Sequence, residues 1–540
     1  MRKHSIIALS LSNLCFFEAW REVLSPQSFS YLYYWKQYPG YAAFVALVIN
    51  VVLLAIVFFG GFNLLRRLGS PFWTRLGYFL FIVILLRALN NIRSQFEILS
   101  TSHLRMLVGR LGYIAIVTIV LALLSLAIIR FGLNRVARAG TLILLICSPF
   151  GLIGLVQATW IVLKYGPPVA QVKTAAPESP TDTAAKPRVL WLIFDEMDQN
   201  LAFDSRSEGF SLPELDRFQS EAFVAKNAYP PAGHTSQSIP ALLTGQLISR
   251  VQPIAPAELS LTIPPSDQAR NWSAESDIFS DARSLGLNTA LVGWYHPYCR
   301  VIGDRLTSCR WEPGTQRLDP TKLSLKKNLV RQEAELLRLV PFSNTVIARL
   351  SSETKRNYSS EHLVDSLALM RETDNVIADQ RFGLLFIHLS VPHPPYIYNR
   401  ASQTVTGNPR GIYLDNLALA DQEFGQLRQT MEHAGIWDRT TVIVSSDHWW
   451  RSDYWRGRVF WSAADEALAG KVDHRVPFMV KLAHQKTKLI YSSQFNTVLT
   501  RDLIREIMTG KVAEPYQLGS WLDLHRTIGE SPYQGYEDAE

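Results

Sequence analysis

The apolar run Val189-Leu190-Trp191-Leu192-Ile193-Phe194 ends in Asp195-Glu196, and far downstream Val442-Ile443-Val444-Ser445-Ser446 ends in Asp447-His448. Between them lies Gly233-His234-Thr235-Ser236-Gln237-Ser238-Ile239-Pro240, which places a hydroxyl at a predicted helix start. Carboxylate oxygens and imidazole nitrogens are ligands for a divalent cation such as zinc or manganese. A hydroxyl at a helix start has two uses. It caps the helix, or, deprotonated beside a cation, it attacks phosphorus while the helix N–H groups hold the anion. His388 and His393 follow a third apolar run, and His474 precedes Arg475-Val476-Pro477-Phe478-Met479-Val480. Each stretch alone also reads as ordinary structure: a solvated acidic pair, an N-cap, a loop after a strand. Together they put Asp, Glu, Thr and His at one end of one sheet, the arrangement of a metal-assisted site.

The elements that must position these residues alternate. Short apolar runs at 188–194, 287–294, 383–389, 441–446 and 475–481 predict strands buried on both faces. Helical patterns fall at 212–222, 236–244, 321–350, 360–378 and 413–434, with Gly435 as the cap of the last. This alternation predicts an α/β soluble domain, a mostly parallel sheet flanked by helices. It is preceded by an α-helical membrane domain, because nearly all long apolar runs lie before residue 165. The expected organisation is a membrane domain over 1–165, a Pro/Ala-rich linker over 166–187, a catalytic domain over 188–525 and a polar tail over 526–540.

Four spans are expected at roughly 41–64, 72–88, 108–131 and 139–163, and a fifth, weaker one at 5–20, which Glu18 and Arg21 close early. Arg2 and Lys3, then Arg66, Arg67 and Arg75, then Arg130, Arg135 and Arg138 mark three cytoplasmic regions. Arg93 and Arg105 fit that pattern less well. With a cytoplasmic N-terminus, five spans put the soluble domain outside the membrane and four leave it in the cytoplasm. Of the four cysteines, Cys15 and Cys147 fall in membrane segments. Cys299 and Cys309 are expected to form a local disulfide, which fits an oxidising compartment. The net charge of +7 is modest, and no basic patch interleaved with aromatics is present, so nucleic acid is not an expected partner.

The ordered motifs Asp-Glu after a strand, Thr-x-x-Ser-x-Pro at 235–240, His-x-x-x-x-His-x-Pro-Tyr at 388–396, Ser-Asp-His at 446–448 and His-x-Val-Pro at 474–477 resemble the alkaline phosphatase superfamily. More narrowly, the chain is similar to its membrane-anchored, sulfatase-like branch, which contains phosphoethanolamine transferases and lipoteichoic acid synthases. The resemblance implies Thr235 as nucleophile and metal ligand. It implies Asp195, Glu196, Asp447 and His448 around the same metal, and His388, His393 and His474 at a second metal or at the substrate. The metal implied is zinc or manganese, with calcium or magnesium as alternatives. The implied setting is a multi-pass protein of the inner (plasma) membrane, its catalytic domain periplasmic or extracellular. The implied reaction is transfer of phosphoethanolamine or phosphoglycerol from a lipid to an envelope glycan or lipid.

Two departures qualify that reading. Thr235 lacks the Cys/Ser-x-Pro-x-Arg context of formylglycine sulfatases, which disfavours sulfate cleavage by that route. Trp449-Trp450-Arg451 stands where the family often has Gly, so two indoles either narrow the pocket or pack beneath it, and Arg451 either clamps a phosphate or is solvated. Tyr295 and His296, after another strand, are also candidate pocket residues, with the disulfide holding their segment. Two alternatives stay open. One is a phosphoester or sulfate-ester hydrolase. The other is a non-catalytic lipid-binding or regulatory membrane protein, disfavoured by the retained ligand types.

Overall fold

A computed structural model of the chain describes residues 2–24, 33–34, 41–94, 101–165, 174–176, 187–266, 268–314, 324–337, 344–407, 411–458 and 460–526. Most of the expected linker and nearly all of the polar tail lie outside the described residues. The chain divides into two compact units. One comprises Met1–Ser28, Gln37–Ala170 and Asp319–Ser352; the other comprises Phe29–Lys36, Gln171–Leu318 and Glu353–Glu540.

Among the described residues of the first unit, four helices are long and apolar enough to cross a membrane: Tyr41–Arg67, Pro71–Asn90, Leu111–Phe131 and Leu133–Leu163. Their 27, 20, 21 and 31 residues span about 30 Å or more at 1.5 Å per residue, the thickness of a hydrocarbon core. They mark the chain as a membrane protein. Leu111, Ile119, Leu123 and Ile129 stay exposed along one of them, a cost in water but not in lipid. The expected fifth span is two shorter helices, Arg2–Cys15 and Phe17–Leu24, separated by a turn at Phe16. Fourteen residues reach only about 21 Å, so neither piece crosses alone. The helix Leu325–Leu337, far along the chain, belongs to this unit. Gln332 meets Asn50 Nδ2 at 3.1 Å, and Arg331 holds Glu22 through two bonds of 2.8 and 2.7 Å.

The second unit is built on one sheet. Its strands are β1 (Arg188–Asp195), β2 (Phe223–Tyr229), β6 (Asn288–Tyr295), β7 (Ser308–Pro313), β8 (Phe382–Pro392), β11 (Thr440–Ser446), β12 (Val476–Lys481), β13 (Leu489–Tyr491) and β14 (Phe495–Asn496). A separate antiparallel sheet holds β3 (Arg250–Ala255), β4 (Glu258–Thr262) and β5 (Ala269–Asn271), and β9 (Tyr398–Asn399) pairs with β10 (Thr404–Val405). The main order is β13-β2-β12-β11-β1-β8-β6-β7, with β14 beside β2. From β11 to β7 every neighbour is parallel; β12 runs antiparallel to both β11 and β2.

β1 shows why the sheet is covered on both faces. Its side chains alternate, so Val189, Trp191 and Ile193 enter one core and Leu190, Leu192 and Phe194 the other. All six are buried, each worth about 1.5–3 kcal/mol of transfer free energy. β8 divides likewise: Leu384 and Phe386 face one core, Leu385, Ile387 and Leu389 the other. Helices such as Thr235–Thr244 and Tyr413–His433 close these layers. Gly435, at φ 66, ends the latter in the left-handed conformation, where any Cβ is strained.

Cys299 and Cys309 are bonded, tying the turn after β6 to β7. The bridge closes a loop with a sequence separation of 10, for which chain entropy gives about 3 kcal/mol. Cys299→Ser in the full-length protein is expected to lower the thermal midpoint by several degrees. Reductant should lower the wild type and leave the variant unmoved; equal midpoints would refute the estimate.

Candidate metal and nucleophile site

The parallel register sets the site. Phe194 pairs with Ser446 and Ile193 with His388, so β1, β11 and β8 present Asp195, Asp447 and His388 at the same level. Ser446 stitches the first two strand ends together. Its hydroxyl donates to Phe194 O (2.6 Å) or His448 O (2.7 Å) and accepts from Met197 N (2.8 Å). The antiparallel β12 brings the segment before it, with His474, to that same sheet end.

Thr235 opens the helix Thr235–Thr244, with His234 as N-cap. All ten residues of that helix are buried. Ser238 Oγ donates to Asp447 O, which pins the helix start to the end of β11. Thr235 Oγ1 lies 3.2 Å from Asp195 Oδ2 and 3.1 Å from His448 Nε2.

The histidine tautomers follow from their partners. His448 Nδ1 lies 2.9 Å from Trp449 O, and His388 Nδ1 lies 3.1 Å from Trp294 O. A carbonyl only accepts, so each Nδ1 carries the proton and each Nε2 presents a lone pair. His388 Nε2 points to Asp195 Oδ2 at 3.4 Å; His448 Nε2 points to Asp447 Oδ2 at 3.3 Å. Asp447 Oδ1 is used by two backbone N–H groups, from Glu196 (3.2 Å) and His448 (2.9 Å).

What remains is a cluster of acceptors. Asp195 Oδ1, Asp447 Oδ2, His388 Nε2 and His393 Nδ1 are buried and have no hydrogen-bond partner among the described residues. Such atoms are costly to bury unless a cation joins them. Asp195, His388 and Asp447 offer atoms within 4.8 Å of one another, and so do Asp195, Glu196 and His393. The chemistry of both groups fits a divalent metal.

The ionisation behaviour agrees. Burial, then the nearby Glu196, raises the Asp195 carboxyl well above its ordinary range. Burial and Asp195 push Asp447 up to about 8. Burial holds His388 at about 4 and moves His393 and His448 well below 6.5, with the Arg451 cation adding to the latter two. Burial also lowers His296 to about 3. The imidazoles are thus in the neutral, ligating form, and the carboxylates lack only positive charge.

Glu196 faces a different partner. Its carboxylate accepts from Arg451 Nε at 2.8 Å and from Trp455 Nε1 at 2.8 and 3.0 Å. Arg451 Nη1 also reaches His234 Nδ1 at 2.7 Å, and its guanidinium lies over Tyr454 and Trp455. The arginine is therefore fixed beside the helix Thr235–Thr244, not solvated. Trp450 is packed between Tyr413 and Trp461, with ring centroids 4.5 and 5.5 Å away. Trp449 stacks on His474 at 4.3 Å, so that histidine meets an indole and stands outside both ligand groups. Tyr295 is half-buried at φ 76, while His296 is fully buried and bonds Thr235 O at 3.2 Å.

Several supports carried no assigned role in the sequence: Trp455 and His234 around Arg451, and Tyr298, whose hydroxyl lies 2.9 Å from His388 Nδ1; Ser446 stood in a motif, but its bridging of two strands did not show. Tyr298 fits because residue 293 is glycine; a Cβ there would lie 2.4 Å from the ring. Gly293→Ala is expected to displace Tyr298 at a cost on the order of 1–3 kcal/mol. It should also weaken metal binding about 10-fold through His388. Calorimetry and metal titration check both; unchanged affinity would refute the second.

An α/β sheet with a hydroxyl and a set of Asp and His ligands at its carboxyl end defines a class of metal-dependent ester-cleaving and ester-transferring proteins. Residues 187–509 match the sulfatase family, and the chain belongs to it. No curated protein matches the chain. Among solved structures, it is similar to Ps i-CgsB, with 14% identity, TM-score 0.40 and coverage of 64% of this chain and 77% of that one. It is also similar to an alkaline phosphatase superfamily protein from Vibrio parahaemolyticus (12% identity, TM-score 0.37, coverage 62% and 67%). A third is the lipoteichoic acid synthase LtaP from Listeria monocytogenes (12%, 0.36, 62% and 76%).

Proposed function

We propose that the protein is a membrane-anchored, metal-dependent phosphoryl-group transferase that uses Thr235 as nucleophile. One observation carries the reading: Thr235 Oγ1 sits 3.2 Å from Asp195 Oδ2 and 3.1 Å from the lone pair of His448 Nε2, at a helix N-terminus beside unpartnered ligand atoms. Asp195, Asp447, His388 and His448 would hold the metal, with Thr235 at its edge and His393 at a second position. Zinc or manganese suits this mixed nitrogen and oxygen set. When bound, the metal supplies positive charge that favours the alkoxide form of Thr235 and offsets charge gained by the phosphoryl oxygens.

The protein's own residues do the rest. Thr235 Oγ bonds phosphorus as the ester bond to the leaving alkoxide breaks, giving phospho-threonine; the proton released by the Thr235 hydroxyl ends on the leaving oxygen. An acceptor hydroxyl then displaces Thr235 and passes its proton to the departing threonine oxygen. The N–H groups of the first helical turn face the phosphoryl oxygens. Arg451, held by Glu196, keeps its charge beside that turn. A phosphodiester lipid headgroup, phosphoethanolamine or phosphoglycerol, is the donor this reading favours, and an envelope glycan or lipid the acceptor. The spans support it by keeping the site near lipid. The Cys299–Cys309 bond supports placing the catalytic unit on the outer side of the inner membrane. With a cytoplasmic N-terminus, that side has the Arg2–Leu24 segment cross once.

The test is turnover of an aryl phosphodiester, a phosphomonoester and an aryl sulfate by the full-length protein with zinc or manganese, beside Thr235→Ala. Metal-dependent diester cleavage lost in the variant is expected. Preferred sulfate cleavage would overturn the substrate class. No turnover with no metal bound would return the reading to a binding module.

A further inference from the structure

The helix that carries Thr235 has a defect in its first turns. Pro240 has no N–H, so the carbonyl of Ser236, four residues earlier, loses its helical donor. Ser236 is buried, and an unmet buried carbonyl is costly. His296 braces the same turn from the side. Its Nε2 lies 3.2 Å from Thr235 O, the carbonyl of the first helical residue. Carbonyls only accept, so Nε2 carries the proton.

The other nitrogen of this ring is then an acceptor, because a buried imidazole among Tyr33, Trp272, Tyr295 and Tyr298 is neutral. The group facing it is the Tyr33 hydroxyl, 3.0 Å from Nδ1. Burial keeps that phenol protonated. Tyr33 is itself clamped: its carbonyl accepts from Arg300 Nη2 at 2.9 Å, and Arg300 lies over Trp311. Cys299, next to Arg300, carries the disulfide. Tyr33 is fully buried and belongs to the core of the second unit, although in sequence it lies between the first helices and the first span.

We propose that Tyr33 is a positioning residue of the catalytic site. Its hydroxyl holds His296 in the tautomer whose Nε2–H bonds the Thr235 carbonyl, bracing the helix start that Pro240 leaves one donor short. The chain before the first span thus contributes to the geometry of Thr235. This inference rests on Thr235 being the nucleophile.

The experiment is a double-mutant cycle in the full-length protein, with bis(p-nitrophenyl) phosphate as probe. Tyr33→Phe removes the donor and keeps the ring. It is expected to lower kcat about tenfold with KM within about twofold and metal content unchanged. Pro240→Ala returns an N–H to the helix, so in that background Tyr33→Phe should cost less than about twofold. A readout free of activity is amide exchange in peptides covering 231–245, which Tyr33→Phe should speed and the Pro240→Ala background should protect. Wild-type kcat in Tyr33→Phe, or the same loss in both backgrounds, overturns the proposal. If the wild type shows no turnover, the functional reading fails. The exchange data alone then decide whether Tyr33 holds the helix: faster exchange upholds it and unchanged exchange overturns it.

Discussion

Thr235→Ala is expected to lower turnover of a phosphodiester by a factor on the order of 10³ or more while the protein stays folded and binds metal. The magnitude follows from removing the atom that forms the covalent bond, leaving only attack by water within the same site. Retention of metal follows from the geometry. Asp195 Oδ1, Asp447 Oδ2 and His388 Nε2 are all unpartnered without any help from the hydroxyl. Loss of one methyl and one hydroxyl from a buried helix start costs little of the fold, since Ser238 still anchors the helix to Asp447 O. Thr235→Ser should keep measurable activity, because the hydroxyl is the only atom the chemistry needs. In the wild type, quenched digests should contain a phosphorylated peptide spanning residue 235, absent from the alanine variant. A Thr235→Ala protein with near wild-type turnover would remove the nucleophile from the reading altogether.

The parts legible in the sequence were those that local patterning controls. The five strands predicted from apolar runs are β1, β6, β8, β11 and β12, because a strand covered on both faces is continuous in hydrophobicity. That is why Asp195 and Asp447 could be placed at one sheet end before any geometry was known. β2 escaped because Lys226 and Asn227 interrupt its pattern, and β7 because its burial alternates with exposed residues. The first apolar segment was read as one stretch, and the structure marks a turn at Phe16 that helical bonds bridge, Phe16 N to Ser12 O at 3.2 Å and Trp20 N to Phe16 O at 2.9 Å.

The support around the ligands was not legible, because it comes from residues far apart in sequence. Glu196 and Arg451 are 255 residues apart, and Tyr33 and His296 are 263 apart; no spacing rule links them. Arg451 could be read as a clamp or as a solvated charge, and only the buried carboxylate of Glu196 decides that it is fixed. The same holds for the aromatic pair. Trp449 and Trp450 are adjacent, yet one stacks on His474 and the other fills the layer beneath Tyr413. A pattern of types picked out the candidate ligands, whereas their tautomers needed the carbonyls of Trp294 and Trp449.

Metal affinity should rise with pH in a way that these surroundings fix. In the metal-free protein Asp447 is held at about 8, so below pH 8 a cation must displace its proton. Asp195 is raised as well, and its proton adds to the count. His388, at about 4, contributes none above that pH. The expected slope is therefore between one and two decades of affinity per pH unit below pH 8, and the part that Asp447 contributes ends above it. Calorimetric titration at pH 6 to 9, in buffers of different ionisation enthalpy, counts the protons released. Stability of the metal-free protein should move the other way. Asp447 binds its proton more tightly folded than unfolded, where the ordinary value is 3.8. The native state therefore holds the extra proton between those values, and stability falls as pH rises from 3.8 to 8. Bound metal replaces the proton and should remove that decline. Asp447→Asn should abolish the pH slope assigned to this residue and weaken binding by more than about 10²-fold, since even indirect support of a ligand is worth 10–100-fold. A metal affinity that is flat from pH 6 to 9 would mean that Asp195 and Asp447 are not the ligands.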